Sequence, residues 1–344
     1  MSCIKKHNKA KYLSLCALMI ICIIAASCSN SSTEKRAGNT KDTSVSTQVQ
    51  ASATASALGN YIQEVSDIPH KRYQYTAHDI NGLIYFIGGY NSQEGQPPVS
   101  ETDIYDTKAN IWRTGAPMPK GKGGHASCLI NDKIYVFGGD IGYNWTSSCE
   151  VYDTKADKWS QLPAVPIDFK GGIGQMACSA LDNKAYIFGG IGDSKAVWEF
   201  DTMKKVWNKK AAMSTGRVGA TSSVYNGQIY VIGGSLQQFN RLCAQPLATV
   251  SVYSPNKDTW SQSSSFTIAR AQCSSVLIGS SLFVIGGVND KENNSGAVEE
   301  FSLATNKWSV KTPMPTQYVR VDEALKVNNT IYLLGEKIYK YTPN

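Results

Sequence analysis

Histidine is scarce in this chain: 344 residues carry four, at positions 7, 70, 78 and 125. So few imidazoles exclude a copper centre that gathers several histidines on one metal. The nine cysteines offer no C-x-x-C spacing, so zinc is unsupported. Beyond Cys28 they stand at 128, 149, 178, 243 and 273, an odd number that leaves at least one unpaired within a monomer, and most read as small strand residues. No Ser-His-Asp order, nucleophile elbow or isolated carboxylate pair is present. Gly172, Gly174 and Ala177 spell a dinucleotide-like run, but it leads into a strand rather than opening a helix. Asn289, Asp290, Glu292, Asn293 and Asn294 gather oxygen donors and read as a solvated loop. No metal and no cofactor is expected.

Charge of one sign is also missing from most of the chain. The formal net charge is +7, but much of it sits in residues 1–58, where Lys5, Lys6, Lys9, Lys11, Lys35, Arg36 and Lys41 face only Glu34 and Asp42. Residues 59–344 are nearly neutral, which argues against a nucleic-acid partner.

Glycine pairs recur instead, at Gly88-Gly89, Gly138-Gly139, Gly189-Gly190, Gly233-Gly234 and Gly286-Gly287, each closing a hydrophobic run such as I-Y-F-I-G-G. A degraded sixth copy is Gly335-Glu336. The spacings are 50, 51, 44, 53 and 49 residues, a period that marks stacked β units. Each full copy is followed by an aromatic and, seven residues later, a tryptophan: Tyr105 and Trp112, Tyr152 and Trp159, Phe200 and Trp207, Tyr253 and Trp260, Phe301 and Trp308. The glycines suit backbone too close to a neighbouring sheet for a Cβ, and the aromatics suit the space between sheets. Asp106 to Asn110 reads as a turn in which Asp and Asn bond the backbone.

This grammar of Gly-Gly, Tyr and Trp resembles the kelch repeat over about residues 60–344. The resemblance implies an all-β, six-bladed propeller of four-stranded antiparallel blades. Blades are expected at about 70–119, 120–166, 167–213, 214–266, 267–315 and 316–344. The last lacks a tryptophan strand, and residues 59–69 resemble one. A closed ring completed by that N-terminal strand is therefore expected, because closure hides sheet edges. Tight turns at Asn81-Gly82, Asn131-Asp132, Asp182-Asn183, Asn226-Gly227, Gly279-Ser280 and Asn328-Asn329 belong to one face. The longer loops after the glycine pairs form the other, where function on a repeat scaffold concentrates.

Residues 1–28 read as an export signal: lysines, an apolar run from Tyr12 to about Ala26, shorter than a span of ~20 residues, then A-A-S-C ending at Cys28. That ending resembles a bacterial lipobox, which implies lipidation at Cys28 and an extracytoplasmic, membrane-anchored lipoprotein. Residues 29–58, rich in Ser, Thr, Ala and Asn, read as a flexible tether carrying the propeller of 59–344.

Sixteen residues before the first glycine of a pair stand Arg72, Lys122, Arg217 and Arg270, and Arg320 is fifteen before Gly335. Blade three offers only Lys170, displaced by three. At the start of innermost strands these cations are expected to ring one mouth of the channel as an anion trap; capping of loop carbonyls is the structural alternative. Similar arginines capture acidic peptides in kelch adaptors. The expected function is therefore a monomeric, non-enzymatic module binding a protein or an anionic carbohydrate. The alternative is an exported sugar mutarotase similar to N-acetylneuraminate epimerase, with Arg241 in the long blade-four loop; no carboxylate accompanies it there.

Overall fold

The computed structural model describes residues 62–167, 171–236, 245–290, 295–315 and 321–342. Those residues form strands, turns and loops without a helix. Six four-stranded antiparallel sheets result, four of them built from consecutive strands, while in the first blade the short strand Tyr90–Asn91 intervenes and pairs with Arg72–Tyr73. The first blade, for example, runs Thr76–Ile80, Leu83–Ile87, Thr102–Asp106 and Ile111–Gly115 from axis to rim.

The sixth sheet is composite. Strand Ile62–Asp67 pairs antiparallel with Lys337–Tyr341, outside Thr330–Leu334 and Glu323–Val327, so the N-terminal strand does complete the last blade. Lys337 reaches back to Glu64 at 2.5 Å.

Local sequence explains the regularity. Strands alternate at tight turns in which Asn81, Asn131, Asp182 and Asn226 each take a positive φ, which Asn and Asp tolerate well. In the rim hairpins Asp106 Oδ1 accepts from the Lys108 and Ala109 amides at 2.9 Å each, and Asn110 receives the Tyr105 hydroxyl at 2.6 Å. The expected Asp cap is present; the Asn side chain serves the aromatic instead.

Core packing is divided rather than central. Buried apolar residues form six wedges, each shared by two neighbouring blades, such as Phe137 and Leu162 with Ile187 and Phe200. Each repeat tryptophan staples its blade to the preceding one: the Trp112 indole N–H donates to Ser66 Oγ, Trp159 to Ala116 O, Trp207 to Pro163 O, Trp260 to Ala211 O and Trp308 to Ser264 O. The glycine pairs fit the close-approach argument. A Cβ on Gly138 would stand 2.6 Å from Ile173 O and one on Gly233 2.6 Å from Arg270 O, both in the next blade.

Candidate functional site

The cation positions have a different use from the one their spacing suggests. Arg72, Lys122, Arg217 and Arg270 are all buried, at 0–1% exposure. Arg72 donates to Gly88 O at 3.0 Å and Glu101 O at 3.1 Å, and pairs with Asp103. Lys122 Nζ meets Ser148 O at 3.0 Å and Glu150 Oε2 at 2.5 Å. Arg217 lacks a carboxylate and donates to Gly233 O at 2.8 Å, Thr249 O at 2.9 Å and Ser251 Oγ at 2.8 Å. Arg270 Nη1 lies 2.9 Å from Glu299 Oε2, itself fully buried. Burial pushes the Arg72 and Arg217 guanidinium groups down to about 10, so both stay charged at neutral pH.

The expectation of a ligand-facing ring is therefore corrected at these four residues. Their side chains turn into the blade and satisfy main-chain carbonyls, Gly88 O and Gly233 O of the glycine pairs for Arg72 and Arg217, Ser148 O for Lys122 and Val284 O for Arg270, because a carbonyl left unsatisfied there would cost about 1–3 kcal/mol. Lys170, Arg241, Arg320 and Cys28 lie outside the described residues. Position sixteen before Gly189 is Ile173, whose carbonyl accepts the Gly139 amide at 2.8 Å, just as Lys122, Arg217 and Arg270 carbonyls serve Gly89, Gly190 and Gly234. Ile173 and Trp198 border one small apolar cavity, so in blade three an apolar pair occupies the ion-pair position.

Two residues beyond each of these positions, backbone closes around the axis. The Gly124 amide donates to Gln74 O at 3.0 Å, Gln175 to Gly124 O at 2.8 Å, Gly219 to Gln175 O at 2.9 Å and Gln272 to Gly219 O at 2.7 Å. Gln74 N extends the belt to Asp322 Oδ1 at 3.0 Å. All five take φ between 50° and 64°. Side chains follow the belt: Gln175 Nε2 donates to Gln74 Oε1 at 2.6 Å, and Gln272 Nε2 to Gln175 Oε1 at 3.3 Å. Three amides thus lie in series across the mouth on the glycine-pair face. Sequence reasoning missed them, although Gln, Gly, Gln, Gly, Gln at a fixed offset from the cation register was a readable signal.

Aromatic rings flank the amides. Tyr73 stacks on Tyr90 with centroids 5.3 Å apart, and the Tyr90 hydroxyl donates to Asp140 Oδ2 at 3.2 Å. Trp145 Cη2 comes within 3.4 Å of a Cβ built on Gly124, where Gln74 Oε1 and Gln175 Nε2 also converge. Tyr73, Tyr90 and Trp145 are half-buried, and Tyr143 beside them is 85% exposed. Gly172 and Gly174, glycines of the dinucleotide-like run, instead make room for Trp145.

Deeper in the channel wall the inner strands are bridged by small polar groups, including His78 to Ser127 at 2.6 Å and Ser179 to Ser222 at 2.7 Å. Burial drives the histidines down, His78 to about 4 and His125 to about 3, the latter with help from Lys122. Burial also lifts Glu323, beside Ser274, to about 7. Cys128, Cys178 and Cys273 are free and sit on or at the start of inner strands as small packing residues. Among the described residues no cluster of metal ligands occurs.

Fold and repeat grammar define a kelch-type β-propeller. More particularly, the chain belongs to the Attractin/LZTR1 β-propeller family, whose model matches residues 84–335. Beta-scruin of Limulus polyphemus is 27% identical over 240 residues, 65% of this chain and 26% of that protein. Kelch-like protein 35 of Mus musculus is 29% identical over 197 residues, 56% of this chain and 33% of that one. Kelch-like protein terF of Aspergillus terreus is 23% identical over 272 residues, 73% and 58%. The match thus spans less than two thirds of each relative. The solved structure of YjhT superposes with a TM-score of 0.66 at 16% identity, covering 80% of this chain and 95% of that one, a likeness of fold.

Proposed function

We propose that this propeller is a binding module whose partner docks on the glycine-pair face, and that lipidation at Cys28 tethers it outside the cytoplasm. The observation that carries the docking reading is the asymmetry of the faces. One ends in short turns of two or four residues, while the other gathers Tyr73, Tyr90, Trp145 and three glutamine amides at the channel mouth. Loops held on a rigid ring can present such groups with little ordering cost on binding. Kelch propellers commonly serve as interaction modules, and this reading extends that role to the chain.

A photo-crosslinking residue at Tyr143, on the proposed face, tests it against the same residue at Lys108, on the hairpin face. Adducts in living cells from position 143 and not from 108 are expected; adducts from 108 alone, or from neither, would refute it. For the tether, Cys28→Ala should abolish incorporation of a labelled fatty acid and release the protein from membranes. Unchanged labelling removes that part of the proposal.

A further inference from the structure

The six junctions between inner strands obey one register rule. Successive residues of a strand point to opposite faces of its sheet, so the second residue of each inner strand faces the preceding blade and the third faces the next. His78, third in its strand, meets Ser127, second in the next, at 2.6 Å; Ser179 meets Ser222 at 2.7 Å, and Ser223 meets Ser275 at 2.9 Å. Where the pair is apolar the rule still holds: Val276 and Ala324 share one wedge, and Leu325 and Ala77 another. The remaining junction joins blades two and three. Its third and second residues are Cys128 and Cys178.

Register therefore sets two sulfurs opposite each other. Both thiols pack into the wedge shared by those blades, Cys128 buried and Cys178 half-buried beside it. Burial raises the Cys178 thiol well above its ordinary range, and the Cys128 thiol, as its hydrogen-bond partner, raises it further. Hydroxyl pairs at 2.7 and 2.9 Å hold their Cβ atoms about 4–5 Å apart, and a disulfide needs about 3.8 Å. A closure of about 1 Å is enough.

The other described cysteines have no such counterpart. Cys149 lines the same wedge but stands on the third strand of blade two, in the row of Phe137 and Ala126 rather than that of Tyr135 and Cys128. Its thiol donates to Ser147 O at 3.4 Å. Cys273 belongs to the wedge of blades four and five, whose described residues include no second cysteine.

We propose that Cys128 and Cys178 form a disulfide that joins blade two to blade three in the channel wall. The assignment is independent of the docking face and of lipidation at Cys28, although a compartment outside the cytoplasm would preserve the bond. The chemistry is exchange with a disulfide oxidant, a small molecule or a protein. One thiolate, that of the less buried Cys178, attacks an oxidant sulfur and releases one thiol; the Cys128 thiolate then displaces the second from the mixed disulfide. The two protein thiols lose two electrons and two protons, and the oxidant becomes two thiols. Thiolate is the attacking form, and burial keeps Cys178 protonated in the closed wedge. Exchange therefore takes place while blades two and three are parted, during folding or a local opening.

Trypsin gives each candidate its own peptide: residues 123–133 hold Cys128, 134–155 hold Cys149 and 171–184 hold Cys178. The full chain, folded and reduced, is incubated with oxidised and reduced glutathione in urea just below its unfolding midpoint, where the wedge opens and recloses. After alkylation and digestion, mass spectrometry should find 123–133 joined to 171–184 by a link that dithiothreitol cleaves. The oxidised chain should unfold at about 1 M more urea than the reduced one, since the bond closes a loop of about 50 residues. Cys128→Ser with Cys178→Ser should fold, because it recreates the hydroxyl pair of Ser179 and Ser222, and should unfold at the same urea concentration in oxidant and in reductant.

Alkylation of both cysteines after oxidation would overturn the proposal, as would a link from 134–155 to either peptide in its place. So would a reductant-sensitive midpoint that survives in the double serine variant.

Discussion

Blades five and three place very different side chains at one structural position. In blade five a buried Arg270 meets a buried Glu299; in blade three the corresponding positions hold the apolar Ile173 and Trp198, which border a small cavity. Blade four lies between them, with Arg217 satisfied by Thr249 and Ser251 and no carboxylate at all. The main-chain role nevertheless persists, since the Ile173 and Arg270 carbonyls take the amide of the preceding blade's second glycine. The backbone junction is the requirement, and the buried charge is one filler among several. That agrees with the general finding that a buried ion pair and well-packed apolar groups are energetically close.

If so, the largest losses should come from the junction itself, whatever side chain lies beneath. Gly138→Val, against Ile173 O, and Gly233→Val, against Arg270 O, combine overlap with a β-branched residue at positive φ. Each should cost about 3–5 kcal/mol, measured by urea unfolding. Similar losses support the comparison; a much smaller loss over Ile173 would break it.

Glu299→Ala comes next, at about 3–5 kcal/mol, because Arg270 would stay buried without its partner. Arg270→Leu with Glu299→Leu should recover most of that, approaching the condition of blade three. A double variant as unstable as the single one would show that the charge pair is needed after all.

A pH titration separates buried bases that stay charged from those that stay neutral. His78 and His125 are held well below the usual ~6.5, so between that value and about 4 the unfolded chain binds protons that the folded one refuses. Stability should therefore be intact above pH 6.5 and fall as pH drops toward 4. His78→Gln should flatten the fall by a few degrees of melting temperature, and an unchanged slope would assign the acid sensitivity elsewhere. The smallest effect is expected from Ser251→Ala, about 1 kcal/mol, because Arg217 keeps three other acceptors.

Periodicity made the blades legible. Glycine pairs and tryptophans repeat because every junction between blades is made the same way, and the missing outer strand of the last repeat pointed to closure by the first. What periodicity could not tell was which way Arg72 or Arg270 points. A fixed spacing places a residue in a blade without saying whether its side chain meets the channel or the sheet interior. The hint lay in the third strand, where T-D-I-Y, C-E-V-Y and V-E-E-F carry an acid two residues before the aromatic, while blade three has V-W-E-F. Acid appears with the cation in blades one, two and five, Ser251 with Arg217 in blade four, and Trp198 with Ile173 in blade three. The glutamine belt was hidden for another reason: Gln74, Gln175 and Gln272 are distant in sequence and meet only once the ring closes.

That closure also bears on how the molecule comes into being. Glu64 and Lys337 are 273 residues apart, yet their strands share one sheet. During synthesis strand Ile62–Asp67 must wait, unpaired by Lys337–Tyr341, until that strand has emerged, and the entropy of bringing such remote segments together is spent before the contact rewards it. Five blades can assemble progressively from neighbours in sequence. The sixth sets the clock, and a chain halted just before residue 337 would hold a nearly finished ring with two bare edges, the form most exposed to pairing with another copy of itself.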